Sequence, residues 1–484
     1  MIRAWLCLLA ACAPFAADPE PKPVKWIDDT RPFVPGGVAA PIADHYREAA
    51  AKIIAAARAD RGAYDKLAQL TDRIGHRLSG SPELEHAVAW AVATMQADGL
   101  DAHAEKVMVP HWVRGPEDAA IVEPIARPLV LIGLGGTVAT PKGGITAPVV
   151  VVHDWKELDS KRDAIAGSIV LYDTPMPPYS AEKGSGYGDV VGYRTGGPSR
   201  AAKYGAVGVL MRSVTAHAMR TPHTGAVDYD DKVAKIPAAA VTVEDAELID
   251  RLAAKGPVRV HLHLESQQLP DAESANVIGE LRGTSKPDEI VVIGGHLDSW
   301  DVGQGAHDDG AGVVMMMHAV ATLKRLGLVP RRTIRVVAFT NEENGVRGGK
   351  AYAAQHQGEL SRTVLALEAD SGGFAPRGFV VGAHDKEAAK RLHGRFADLI
   401  ELLQPLGATR LVDSEHGGTD IGPMAAAGVP QVGLVVDGRT YFDIHHTEAD
   451  TLDKVDPAQL ADDVAAVAVL AYIAADLPDR LDAP

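Results

Sequence analysis

The chain has 484 residues, of which 46% are hydrophobic and 23% are charged, and its formal net charge at pH 7 is −16. This composition is typical of a soluble globular protein with two or three structural units, and it excludes a disordered or membrane-embedded chain. The negative charge argues against nucleic acid or an anionic lipid surface as a partner, because neither attracts an acidic protein.

Residues 1–17 are predicted to form an export signal, because Arg3 precedes a short apolar run that is followed by a Pro-rich polar stretch. The run is too short to span a bilayer, so we predict no transmembrane span. Two alternatives stay open: cleavage near Ala17, or lipidation of Cys12, since "LAAC" resembles a bacterial lipobox. We therefore expect an exported protein, periplasmic or secreted, with a lipid anchor at Cys12 in the second case.

Both cysteines of the chain, Cys7 and Cys12, lie in this N-terminal segment. The mature domain therefore has no disulfide to form, and any metal site in it must be built from His, Asp and Glu.

Residues 41–116 are predicted to be the N-terminal helical part of a larger domain. Ile53, Ile54 and Ala57 recur at helical intervals. A second helix is expected to begin at the Ser81-Pro82 pair and to end before Gly99, because these residue types are typical of helix starts and stops.

Residues 117–268 are predicted to be a β-rich module inserted into that larger domain. Short apolar runs broken by Gly and Pro favour a small β-sandwich with one or two helices. The runs are "APVVVVHDW", "GSIVLYD", "AVGVLMRS", "IPAAAVT" and "VRVHLHLES".

Residues 269–484 are predicted to form a three-layer α/β/α domain. Apolar strands alternate there with helical stretches such as "GVVMMMHAVATLKRLG", and nearly continuous apolar strands indicate a sheet that is covered on both faces. The predicted strands are "EIVVIGG", "TIRVVAFT", "TVLALEAD", "GFVVGA" and "VPQVGLVVDG".

Four of these strands are followed by His or carboxylate residues. In open α/β sheets reactive groups gather where strands end, so we expect these side chains to share one site. The residues are His296 and Asp298, Glu342 and Glu343, Asp370, and His445 and His446.

Such a cluster of carboxylates needs a cation to neutralise it away from water. Imidazole and carboxylate without thiolate suit zinc, with manganese or cobalt as possible substitutes. The number of groups suits two metal ions that share a bridging carboxylate, an arrangement that polarises a carbonyl and activates one water. This is the chemistry of peptide-bond hydrolysis.

The motifs resemble, in order, those of the co-catalytic dizinc exopeptidases, which include bacterial aminopeptidases and glutamate carboxypeptidases. Within this family the resemblance is closest to the carboxypeptidase Q subfamily, whose protease-associated domain is similar to "RTGGPSRAAKYGAVGVLMRSV" and "PHTG" in the insert. The resemblance implies a short peptide substrate, two zinc ions per chain and a homodimer. The family motifs are "GGHLDSWDVGQGAHDDGAG", "TNEENG", "EADSGG", "GGTDIGP" and "HHTEADT".

The resemblance also implies a set of metal ligands. Asp308 would bridge both ions, Glu343 and His446 would complete one site, and His296 and Asp370 would complete the other. A shift of the last ligand from His446 to its neighbour stays open at this point.

Three further residues receive roles from the resemblance. Glu342 would act as the general base on the water that bridges the metals. His445 stands where many relatives have Tyr, and its imidazole can donate a hydrogen bond to the oxyanion. Asp298 would hold the His296 ring through the nitrogen that does not bind metal.

Two functional alternatives remain. An aminopeptidase that acts on longer peptides would use the same metals, and a receptor-like relative would have lost them. The intact ligand set, including His296 and Asp308, argues against the receptor.

The other polar residues of the motifs have simpler interpretations. We expect His307 to lie outside the metal site, Asp309 to cap the following helix, Asp301 to stabilise a turn and Asp420 to support a loop. We expect bound metal to hold the Gly-rich loop between His296 and Asp308, because its glycines lose much backbone entropy on ordering.

Overall fold

The computed structural model describes residues 41–180, 183–383, 385–414 and 416–483. The predicted export signal over residues 1–17, including Cys7 and Cys12, lies outside the described residues.

The elements are numbered in chain order. The strands are β1 (Asp101–Val113), β2 (Glu117–Glu123), β3 (Arg127–Leu129), β4 (Leu131–Gly133), β5 (Ile145–Val152), β6 (Ile169–Tyr172), β7 (Gly208–Arg212), β8 (Ala238–Val241), β9 (Arg259–Leu264), β10 (Gln267–Leu281), β11 (Lys286–His296), β12 (Arg332–Phe339), β13 (Thr363–Glu368), β14 (Pro376–Gly382), β15 (Arg410–Asp413) and β16 (Gln431–Val436). The helices are α1 (Pro41–Arg58), α2 (Gly62–Gln69), α3 (Pro82–Ala97), α4 (Trp155–Ser160), α5 (Arg162–Ile165), α6 (Tyr187–Thr195), α7 (Gly197–Lys203), α8 (Val243–Ala253), α9 (Ala311–Arg325), α10 (Arg347–Gln355), α11 (Lys386–Leu399), α12 (Gly422–Ala425), α13 (Tyr441–Ile444) and α14 (Pro457–Asp476).

The larger domain is built on an eight-stranded sheet in the order β1-β10-β12-β11-β13-β16-β14-β15. Its central strands β12, β11, β13 and β16 are parallel, whereas β1, β10 and β14 pair antiparallel to a neighbour. The parallel strands are buried on both faces, which explains their continuous apolar sequences. Helices α1, α2, α9 and α14 share the core on one face, and α10 and α12 pack on the other. The predicted three-layer α/β/α class is confirmed.

The longest helix, α14, lies inside this domain and packs against α1 and α9. Among the described helices it is the one with the length and apolar composition to cross a membrane, and 78% of its apolar segment is buried. The same composition is what a helix enclosed by other helices requires.

The N-terminal part contains the predicted helices and a strand that the sequence pattern did not reveal. The Ser81 side chain accepts a hydrogen bond from the Leu84 N–H, so the predicted start of α3 is confirmed. The strand β1 follows α3 and forms one edge of the main sheet. Its pattern alternates poorly because it is an edge strand with several exposed positions.

The segment between β1 and β10 forms a second eight-stranded sheet, in the order β3-β2-β9-β5-β6-β7-β8-β4. Strands β5, β6, β7 and β8 are parallel, and parallel neighbours require crossover connections. Helices α4 to α7 cover one face and α8 covers the other. The expected sandwich with one or two helices is therefore wrong: this unit is a single mixed sheet with five helices.

Both ends of this second unit lie at one place on the main sheet, because Val113 at the end of β1 pairs with Gln267 at the start of β10. An insertion at two adjacent strand ends leaves the host sheet continuous. The boundary of 117–268 and the assignment as a protease-associated domain stay predictions.

Candidate metal centre

The four parallel strands bring their carboxyl ends to one edge of the main sheet. His296 is the last residue of β11, Glu342 and Glu343 follow β12, and Asp370 follows β13. The segment after β16 returns through α13 to His446. Residues far apart in the chain are thereby placed within one buried cluster.

Asp308 lies at the centre of this cluster. Its Oδ1 is 3.3 Å from His296 Nε2, and its Oδ2 is 3.2 Å from His446 Nε2. His296 Nε2 also lies 3.4 Å from Asp370 Oδ1, and His446 Nε2 lies 3.2 Å from Glu343 Oε2. The structure thus places the five predicted ligands together, in two groups joined by the Asp308 carboxylate.

The donor set fits zinc. Imidazole nitrogen and carboxylate oxygen are ligands that suit this ion, and the described cluster contains no thiolate. Glu343 Oε1 is buried and accepts no hydrogen bond from the described residues, and burial raises the pKa of Glu343 to about 7. A buried carboxylate oxygen without a donor is stabilised by a cation at this position.

Asp298 contacts the His296 ring at Nδ1, through its main chain. The Asp298 main-chain carbonyl lies 2.9 Å from His296 Nδ1, whereas the nearest carboxylate oxygen of Asp298 is 3.7 Å away. The carboxylate instead accepts hydrogen bonds from the Glu342 and Glu343 N–H groups, at 3.0 and 3.3 Å. One residue therefore orients a ligand through its main chain and the "NEEN" loop through its side chain.

Glu342 lines the pocket beside the cluster. The preceding Asn341 has a left-handed backbone with φ of 63°, and its side chain donates to Ser79 Oγ and accepts from the Arg347 N–H. This turn directs Glu342 and Glu343 to adjacent parts of the site. Burial raises the pKa of Glu342 well above its ordinary range.

The two histidines of the last motif differ in their surroundings. His446 lies 3.2 Å from both Asp308 and Glu343, and its Nδ1 lies 3.2 Å from the Thr224 carbonyl, which belongs to the inserted unit. The Thr224 N–H in turn donates to the His446 carbonyl at 3.0 Å. His445 stacks on His446 with its Nε2 3.6 Å from Asp308 Oδ2. The contacts favour His446 as the ligand and leave His445 on the pocket wall.

The remaining motif residues hold the loops in place. Asp309 accepts from the N–H groups of Gly312 in α9 and of His296, each at 3.0 Å. His307 stacks on Phe374 and its Nδ1 accepts from the Gly373 N–H, away from the ligand cluster. Asp301 forms an ion pair with Arg114 beside the insert.

Asp420 is fully buried, and its carboxylate oxygens have no hydrogen-bond partner among the described residues. Burial raises the pKa of Asp420 well above its ordinary range, and the neighbouring Glu368 adds to this shift. Glu368 itself accepts from the Thr419 and Ile421 N–H groups on either side of Asp420. Asp420 therefore lies in the loop that Glu368 holds, and it is not one of the five predicted ligands.

A pocket of about 820 Å³ opens over the cluster. The inserted unit contributes Tyr179, Ser185, Tyr187 and Arg194 to its wall. Arg194 is 6% exposed, and its Nε is buried without a described acceptor. The described groups within hydrogen-bond reach of its guanidinium are the Tyr187 hydroxyl, the Thr224 carbonyl and the His446 ring.

Sequence reasoning did not single out several residues that complete the site. Asp450 accepts from the N–H groups of His307 and Asp308, at 2.8 and 3.1 Å, and its place in "HHTEADT" was a signal for it. Arg194 begins the "RTGG" motif of the insert. Arg77 donates to main-chain carbonyls, and Thr224 contacts His446 with its own main-chain carbonyl. Residue type does not predict contacts of this kind.

The sequence matches peptidase family M28 over residues 276–471. Carboxypeptidase Q of Mus musculus is 42% identical over 420 residues, which cover 86% of this chain and 86% of the mouse protein. A peptidase M28 precursor from Shewanella amazonensis SB2B has a crystal structure with a TM-score of 0.85 and 37% identity, covering 90% of this chain and 98% of that one. The structure of a zinc aminopeptidase from Bacillus subtilis has a TM-score of 0.63 and 19% identity, covering 86% of this chain and 95% of that one. This similarity supports the fold alone.

Proposed function

Because the chain belongs to peptidase family M28 and is a metallo-exopeptidase similar to carboxypeptidase Q, we propose that it hydrolyses dipeptides or short peptides with zinc as its metal and Glu342 as its general base. The family resemblance of the sequence motifs is confirmed, and a receptor-like protein without activity is excluded. The observation that carries the proposal is the double cluster in which His296 and His446 reach opposite oxygens of Asp308, at 3.3 and 3.2 Å.

The ligand distribution supports two zinc ions. Asp308 offers one oxygen to each group, His296 and Asp370 complete the first, and His446 and Glu343 complete the second. Manganese or cobalt can substitute in such a donor set. Bound at these residues, zinc would supply Lewis-acid chemistry for the scissile carbonyl and for the attacking water.

The side chains of the chain supply the proton transfers. Glu342 takes a proton from the attacking water and returns it to the leaving amine. The Asp298 carboxylate holds Glu342 in place through the Glu342 N–H. His445 lines the pocket with its Nε2 toward the cluster, so it can donate to the oxygen on which negative charge develops.

We assign the free carboxylate of the substrate to Arg194. Arg194 forms no ion pair with the described residues and its Nε has no acceptor among them, so a substrate carboxylate would supply a charge partner and hydrogen bonds. Arg194 lines the same pocket as Glu342. This favours a carboxylate-recognising exopeptidase over an aminopeptidase for longer peptides.

Arg194→Met is expected to lower kcat/KM for peptides with a free C-terminus by about 10–100-fold, because a hydrogen bond to a charged group contributes about 1.5–3 kcal/mol. The same variant should cleave C-terminally amidated peptides as fast as the wild type does. Steady-state kinetics on both substrates check this. Arg200→Met is the matched control, because Arg200 is an exposed insert arginine stacked on Trp155. Equal losses on both substrates would contradict the assignment of Arg194.

A dipeptide panel in which either terminus is free or blocked tests the overall specificity. We expect amidation of the carboxylate to lower kcat/KM by about 10–100-fold, as loss of a hydrogen bond to a charged group does, and acetylation of the amine to lower it less. If acetylation alone stops cleavage, the protein is an aminopeptidase.

Three further hypotheses belong to this function. We propose that the inserted unit is a protease-associated domain, that the protein is exported with or without lipid on Cys12, and that it forms a homodimer. The mass of the mature N-terminus decides between a lipidated Cys12 and cleavage near Ala17, and the native mass in solution tests the dimer.

A further inference from the structure

Arg77 is one of the largest fully buried side chains of the protein, and it lies against the metal-bearing loop. The loop of residues 297–305 connects His296 at the end of β11 to the segment that carries Asp308. Leu297 is buried in the main core and Trp300 packs with Leu78, Trp112 and Val302, whereas the other positions of the loop are polar or glycine. Hydrophobic packing therefore fixes Leu297 and Trp300, and the polar and glycine positions of the loop need other contacts to hold their conformation.

The Arg77 guanidinium contacts both ends of this loop. Its Nε donates to the Leu297 carbonyl at 2.7 Å, directly after His296. Its Nη1 donates to the Gln304 carbonyl at 2.8 Å, and its Nη2 donates to the Gly305 carbonyl at 3.0 Å, shortly before Asp308. The planar fork of an arginine can satisfy several carbonyls at once.

The main chain of Arg77 is joined to the middle of the same loop. The Arg77 N–H donates to Ser299 Oγ at 3.0 Å, and the Ser299 N–H donates to the Arg77 carbonyl at 3.2 Å. Gly305 has a left-handed φ of 56°, and a Cβ there would lie 2.4 Å from Ser299 Cβ and 2.9 Å from Arg77 Nη2. The loop therefore closes around the guanidinium at a position where only glycine fits.

The charge of Arg77 also faces the acidic site. Burial lowers the pKa of Arg77 to about 10, and Asp450, Asp298, Asp309 and Asp308 counteract this effect. The guanidinium is therefore protonated at neutral pH. It offers a fixed positive charge behind the carboxylates without occupying a ligand position.

We propose that Arg77 is a positioning residue that sets the separation of His296 and Asp308 by anchoring both ends of loop 297–305, so that the loop is ordered before metal binds. This inference rests on the proposed assignment of these two residues as ligands. It revises the expectation that bound metal alone holds the loop.

The first test compares Arg77→Lys with Arg332→Lys. Both arginines are fully buried, but Arg332 donates to Glu289 and to the Leu477 and Pro478 carbonyls, away from the site. An ammonium cannot reach carbonyls at both loop ends, so we expect Arg77→Lys to weaken zinc retention against a competing chelator by about 10–100-fold. Arg332→Lys should lower the Tm about as much as Arg77→Lys does, because both remove a buried guanidinium. It should leave zinc retention unchanged. Equal zinc retention in the two variants would overturn the inference.

The second test needs no substitution, so it also applies if Arg77→Lys does not fold. Hydrogen exchange is measured on the full chain with and without zinc. The amides of Leu297, Ser299 and Gln304 have main-chain acceptors at Phe339, Arg77 and Asp450, and we expect them to stay protected after zinc is removed. Loss of their protection in the zinc-free protein would show that the metal orders the loop.

The two proposals fail in different ways. If the wild-type protein binds no zinc, the proposed function is wrong. If it binds zinc and either test gives its contrary result, the function stands and the role of Arg77 is wrong.

Discussion

Glu342→Gln is expected to lower kcat by about 10²–10⁴-fold, the range that general acid–base catalysis contributes, while the metal content stays that of the wild type. Gln has nearly the same shape as Glu but cannot accept the proton of the attacking water at neutral pH. The Glu342 N–H would still donate to the Asp298 carboxylate, so the loop should keep its position. Metal analysis and steady-state kinetics on the same preparation separate the loss of a base from the loss of the metal.

The control for this substitution is Glu273→Gln. Glu273 lies on β10 with 63% of its side chain exposed and pairs with Lys106, so its neutralisation should change neither kcat nor metal content. Full activity in Glu342→Gln would contradict the mechanism. A loss of metal in that variant would mean that Glu342 is a ligand.

His296→Ala is expected to reduce both metal content and activity, and activity should fall to the level of chelator-treated wild-type protein. His296 lies between Asp308 and Asp370, so its removal leaves two carboxylates facing each other without the imidazole. The repulsion between the two neighbouring carboxylates raises the pKa of one of them, and its protonated form binds metal less well. Metal analysis after dialysis, together with activity before and after added zinc, measures both effects.

His307→Ala tests whether the loss is specific to the ligand. His307 is also a buried histidine of this loop, but its ring stacks on Phe374 and bonds the Gly373 N–H. We expect it to lose stability and to keep its metal. If His307→Ala loses metal as His296→Ala does, or if chelator-treated enzyme keeps full activity, the assignment of the metal site is wrong.

The sequence alone was sufficient for the fold class and for predicting which side chains meet at one edge of the sheet. Apolar strands that alternate with helices predict a covered parallel sheet, and parallel strands bring their carboxyl ends to one edge. The residues at those strand ends are therefore close in space, and this does not depend on the conformation of the connecting loops. They are His296, Glu343 and Asp370. Local capping signals such as Ser81 were equally visible, because a cap depends on residues within one turn.

The inserted unit shows where the sequence pattern was insufficient. Strands β5 to β9 were predicted as apolar runs, but β2 to β4, the parallel pairing and most of the connecting helices were not. Short strands of four or five residues have the same composition in a sandwich and in a mixed sheet. Which strands pair depends on long-range contacts that no local pattern reports.

Only the tertiary structure decided which main-chain groups orient the ligands. His446 is held by the Thr224 carbonyl from 222 residues away, and Arg77 reaches Gly305 across 228 residues. Asp298 holds His296 with its main-chain carbonyl, a contact that does not depend on its side chain. Residue type can predict candidate metal ligands, because side chains differ in their chemistry. Every residue has the same carbonyl, so the main-chain acceptors that hold those side chains follow only from how the two sheets pack.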